Sequence, residues 1–278
     1  MNYLKRGFSK SVKAIEKREG LFVLLVLSQL VFVISLIALS IYFQVKIFED
    51  AQGIIEPLQD ANYDANSIEE GKPFTKDMLN IYRSYTSMKH NVIVFLTWLF
   101  FLYIVLNGGV WIMTHGLLNN FNLKDHTQIL QVWIKHTASV VLILGPFLII
   151  SYYLLISMLR MEAAESFSNT ANILQYALLA LYYFILVAFA LTCTRSWKGF
   201  PRKVYDLSIK KIFSNFSVLF VNLIILSILG YFVYFTVNNE KTFSLLVLSS
   251  ILFIIGLVTT RIFWVASLRE IQHEKDNH

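Results

Sequence analysis

The chain has a single cysteine, Cys193, among its 278 residues. An intrachain disulfide and any multi-cysteine metal site are thereby excluded. Charge is scarce as well. Only 15% of residues are Asp, Glu, Lys or Arg, where a soluble domain carries about 25%. The motifs of common hydrolases are missing: there is no Gly-x-Ser-x-Gly, no His-Glu-x-x-His and no paired-aspartate prenyl site. A P-loop is also missing, so the chain carries no ATPase of its own. No cofactor motif appears.

What is abundant is apolar surface. The chain is 56% hydrophobic with a mean hydropathy of +0.58. Its apolar residues form six long runs, at 21–45, 92–113, 138–158, 173–194, 218–237 and 243–266. Each is long enough to cross a bilayer as a helix. The first is far longer than the core of a signal peptide and no Ala-x-Ala site follows it, so it reads as a retained helix. The expected fold is therefore all-α: one polytopic integral membrane domain of six transmembrane helices. Residues 46–90 form the only long polar segment, and they are acidic.

Basic residues cluster beside the runs. Residues 1–20 read as a cationic amphipathic helix with Leu4, Phe8, Val12 and Ile15 on one side and Lys13 and Lys17 among the bases on the rest. A second such helix begins at Pro201, with Tyr205, Ile209, Ile212, Phe213, Phe216 and Phe220 on one face. Lys203, Lys210 and Lys211 are its bases, and the apolar run is expected to follow without a break. Residues 119–135 repeat the plan, with Asp125 and Gln128 as a helix start and Leu130, Trp133 and Ile134 as the expected buried face. Gly145-Pro146 is expected to kink the third run. Seventeen of the 24 Lys and Arg fall on one side of this topology. The positive-inside rule then puts both termini in the cytoplasm and residues 46–90 outside, in a cell membrane.

The plan suggests three repeated units, each a surface helix followed by a transmembrane hairpin. Ile15-Glu16-Lys17, Ile134-Lys135-His136 and Ile209-Lys210-Lys211 hold matching places, as do Thr194-Arg195-Ser196-Trp197 and Thr260-Arg261-Ile262-Phe263-Trp264. Bilayer constraints alone produce the same likeness, because Arg and Trp favour the inner interface of any membrane protein.

Candidate sites are few. Asp60-x-Asn62-x-Asp64-x-Asn66 has the opening spacing of a calcium loop, but Ala65 stands where a turn glycine is needed and Gly71 where a bidentate Glu is needed. It reads as a solvated acidic loop. His115, His136 and Cys193 fall where helix ends could meet, yet a lone cysteine in an apolar helix is more often a packing residue. Gln29, Asn107, Asn222 and Arg261 matter more, because lipid offers a polar side chain no partner. They read either as interhelical hydrogen-bonding groups with a snorkelling arginine, or as the lining of a path for a polar or anionic ligand. No acid lies within an apolar run to couple protons or cations, which favours the structural role.

The function expected from the sequence is a membrane-embedded scaffold or accessory subunit, not an enzyme. The alternative is a small permease or transporter component using the polar cluster. Anionic lipid headgroups at the inner face are the expected partners of the basic helices, with a protein partner or a second copy beside them. Nucleic acid is not expected, since the bases sit next to membrane spans.

Overall fold

The computed structural model describes residues 2–60, 78–118, 125–158, 164–193, 199–239 and 242–276. Most of the calcium-like stretch and the Thr194–Trp197 motif lie outside the described residues. Every regular element among the described residues is helical. In chain order they are α1 (Asn2–Lys17), α2 (Glu19–Asp60), α3 (Met78–Leu102), α4 (Gly108–Leu117), α5 (His126–Met158), α6 (Ala164–Leu191), α7 (Phe200–Tyr205), α8 (Ile212–Asn238) and α9 (Phe243–Asp276). A π-helical turn, Tyr103–Asn107, joins α3 to α4, and another, Asp206–Lys210, follows α7.

Six helical stretches are long and apolar enough to cross a membrane: Glu19–Pro57, Met78–Leu117, His126–Ile150, Asn172–Leu191, Ile212–Asn238 and Phe243–Gln272. They overlap all six runs read from the sequence, although the third run, 138–158, extends eight residues past Ile150 and the fourth, 173–194, three past Leu191. The chain is a multi-pass α-helical membrane protein. At 42 residues α2 is about twice the length a bilayer needs, because it continues as helix through Phe48–Asp60, the start of the polar segment.

Two compact units divide the chain. The smaller, Val31–Leu106, is an antiparallel helix pair built from parts of α2 and α3. Phe43 meets Phe95 with ring centroids 5.5 Å apart, and Asn91 Nδ2 donates to Asp50 Oδ2 at 2.7 Å.

The larger unit, Met1–Leu30 with Asn107–His278, holds the main core. Leu25, Val110, Leu117, Val258 and Ile262 are fully buried together where α2, α4 and α9 meet. Helices α8 and α9 pack along each other as a hairpin, tied by a hydrogen bond between the Thr236 and Ser249 hydroxyls at 3.0 Å. Helix α1 lies on the C-terminal part of α9. Gly7 makes this possible: a Cβ there would sit 2.2 Å from Ser267 Oγ and 2.9 Å from its Cα. Lys10 pairs with Glu270 across the same contact. Arg18, at the bend into α2, donates to the carbonyl of Gly116 at the end of α4.

The start of α5 follows the sequence reading in one respect. Asp125 Oδ1 accepts hydrogen bonds from the Thr127 hydroxyl (2.6 Å) and from the backbone N–H groups of Thr127 (3.0 Å) and Gln128 (3.3 Å). These bonds, the Thr127 hydroxyl first, hold its carboxyl below the usual carboxylate range.

Two sequence expectations need correction. The basic helix from Pro201 does not run straight into its span: Lys211 breaks it at φ −112°, ψ 26°. The middle basic segment does follow the expected plan, since α5 runs unbroken from His126 through Pro146 to Met158. Leu130, Trp133 and Ile134 are exposed, and Val132, Lys135 and His136 are buried instead. Tyr205, Ile209, Phe213, Phe216 and Phe220 are exposed as well. The reason is physical. In a membrane the solvent is as apolar as the core, so the most hydrophobic face of a helix can be the outward one.

Candidate functional site

The site is built on α9. At Arg261 this helix faces α2 and α4, and the guanidinium is held from both. Arg261 Nη2 donates to Gln29 Oε1 at 2.7 Å, and the guanidinium carbon lies 5.3 Å from the ring centroid of Trp111. Gln29 and Trp111 are each 3% exposed. A buried amide acceptor and an aromatic face together fix a cation that would otherwise be costly at this depth. Two further contacts lock the surroundings. Trp264 Nε1 donates to the carbonyl of Leu186 at 3.1 Å, and Trp111 packs edge-on against Phe189 at 5.2 Å.

Beside Arg261 lies a cavity of about 640 Å³ between α6, the turn after α7, α8 and α9. Arg261, Asn222, Thr260 and Ser208 are polar residues on its wall, and the rest is almost entirely aliphatic or aromatic. Asn222 is 7% exposed and its Oδ1 has no hydrogen-bond partner among the described residues; the same holds for the buried Ser208 hydroxyl. A buried carbonyl oxygen without a donor is unfavourable unless something supplies one.

The π-helical turn that carries Ser208 is pinned from two helices. Tyr183 of α6 donates to the Ser208 carbonyl at 2.9 Å, and Asn215 of α8 donates to the Leu207 carbonyl at 2.7 Å and to Tyr183 at 3.3 Å. Asn215, fully buried, was missed by sequence reasoning. The available signal was an amide at the mouth of an apolar run, directly after a basic helix.

Of the four residues predicted to cluster, Gln29 and Arg261 touch, and Asn222 shares the cavity wall with Arg261. Asn107 is buried but does not line that cavity. It ends the π-helical turn before Gly108, where α4 meets α5 so closely that a Cβ would lie 3.1 Å from the His136 ring. Lys13, Lys17, Lys203, Lys210 and Lys211 are all exposed, and Lys210 forms an ion pair with Asp206 at 2.6 Å.

A second polar layer lies about two turns farther along α9. His115 Nε2 donates to the Phe189 carbonyl at 2.8 Å, with the Thr192 hydroxyl 3.0 Å away, and Arg269 Nη2 donates to Nδ1 at 3.2 Å. The His136 ring stacks on Phe189 at 4.0 Å, and Cys193 lies close to the Arg269 guanidinium. His115, His136 and Cys193 are thus drawn to one end of the larger unit, around Phe189 and Arg269. Among the described residues no three His, Cys, Asp or Glu side chains gather as metal ligands would. No protein-family model, no curated protein and no solved structure matches the chain.

Proposed function

We propose that the protein is a small permease or a transporter component, with Arg261, Gln29 and Asn222 forming a polar site in the cytoplasmic half of the bundle for a polar or anionic substrate. One observation carries this reading. A cation fixed by Gln29 and Trp111 stands on the wall of a cavity of about 640 Å³ whose neighbouring amide, Asn222, lacks a partner among the described residues. A purely structural polar cluster closes on itself, because each buried polar group left open costs about 1–3 kcal/mol. In this reading the chain does no chemistry of its own. Both termini lie in the cytoplasm of a cell membrane, and the exposed bases of α1 and of the α7 region meet anionic headgroups.

Labelling tests the proposal. In a Cys193→Ser background reconstituted in liposomes, Asn222→Cys should react with a membrane-impermeant thiosulfonate added from the side of the termini. Adding an excess of a transported anion should slow that reaction. A thiol that stays inert from both sides, with stability lowered, would make the cluster packing alone and the protein a scaffold.

A further inference from the structure

Resting on that reading, we propose that the ligand of this cavity is an anionic amphiphile, a lipid with a negatively charged headgroup. It enters sideways from the leaflet in which α1 and the α7 region lie. The cavity's chemistry is lopsided. Its polar groups are those of Arg261, Asn222, Thr260 and Ser208, and aliphatic and aromatic side chains cover most of the rest. A water-soluble anion would leave that apolar surface wet; an acyl chain covers it.

The cavity is also the right shape. Its stripe on α8 runs from Ile212 through Phe216, Leu219 and Leu223 to Leu226. Fourteen residues of helical rise make that roughly 21 Å, a length suited to a chain and not to a compact solute. The wall is open on its outer side, where Leu179, Phe216 and Leu223 are each about half exposed. In a bilayer that side faces acyl chains, so a lipid tail reaches the cavity without crossing water.

Charge and position agree. Arg261 lies six residues before Ser267, the seat of α1, hence about 9 Å inside the level of that surface helix. A headgroup drawn from the same leaflet would pair with Arg261, and Ser208 and Asn222 would hydrogen-bond its ester or hydroxyl oxygens and donors.

Trp111 and Trp264, both on the cavity wall, provide the readout. In a variant with Trp98, Trp133 and Trp197 changed to Phe, lipids brominated on the acyl chain should quench their fluorescence. An anionic phosphatidylglycerol should quench at lower mole fraction than a zwitterionic phosphatidylcholine of the same bromination. Arg261→Gln should erase that preference, a change on the order of tenfold for one charge-assisted contact. Ala180→Phe, which fills the cavity and keeps the arginine, should abolish quenching even if Arg261→Gln fails to fold. Equal quenching by both lipids, or quenching unchanged by Ala180→Phe, would overturn the proposal. Soluble glycerol phosphate serves as the second arm. If it protects Asn222→Cys from labelling while the lipids show no preference, the ligand is a free anion: the lipid assignment fails and the permease reading stands. If neither probe acts and the thiol stays inert, both fall.

Discussion

Arg261 shows how a single side chain is made tolerable within an apolar helix. It sits on α9 with the Gln29 amide as acceptor on one side and the Trp111 ring on another. Interhelical hydrogen bonds of this kind contribute about 1 kcal/mol in a membrane. Gln29→Leu should therefore lower unfolding free energy by about that amount, measured by denaturation in mixed micelles. Gln29→Glu should restore most of the loss, since a carboxylate accepts from the guanidinium equally well. Asp125 works outside the bundle. Its depressed carboxyl stabilises the start of α5 at any pH above the ordinary carboxylate value, and that contribution is lost as pH falls through the lowered one. Helicity at residues 125–130, followed by NMR chemical shifts, should hold constant from neutral pH down to about 4 and fall below it. Asp125→Asn, which keeps the cap but cannot titrate, should flatten that step.

At the scale of elements, α1 is the most informative. Its sequence is strongly amphipathic, and the expected apolar side includes Phe8, yet Phe8 is 64% exposed while Gly7 and Ser11 are buried against α9. Small residues seat the helix on the protein and leave its bulky apolar residue to the surroundings. Gly7→Ala should then unseat α1 at a cost of roughly 1–3 kcal/mol, the usual penalty for overpacking, because Ser267 backbone stands in the way. Protease sensitivity near Lys10 and Lys13 would report it. Gly20→Ala, with nothing within 4 Å of the added Cβ, is the control and should be neutral or slightly stabilising. The same inversion explains Leu130, Trp133 and Ile134. Their spacing marks a helix correctly, but spacing cannot say whether an apolar face meets protein or lipid.

For the whole molecule, the consequence to test is an even number of crossings. Single cysteines placed at Ser9 and Gln272, in a Cys193→Ser background, should both react with an impermeant maleimide from the same side of sealed vesicles. Reaction from opposite sides would break the six-span topology.

The run lengths determined by themselves that the chain forms six helices long and apolar enough to cross a membrane, because a helix satisfies its own backbone in lipid and each run is long enough to span it. The amide and arginine positions were also legible, since polar side chains in such runs are rare. Which of them touch was not. Gln29 and Arg261 lie 232 residues apart, and only the packing of α2, α4 and α9 brings them into contact. Tertiary structure alone decided that Asn222 shares a cavity with Arg261 while Asn107 does not. It also decided that the surface helix at Pro201 bends at Lys211. Hydropathy ranks residues by their distaste for water, and between a protein neighbour and an acyl chain it is silent; small residues, close backbones and hydrogen bonds choose between them.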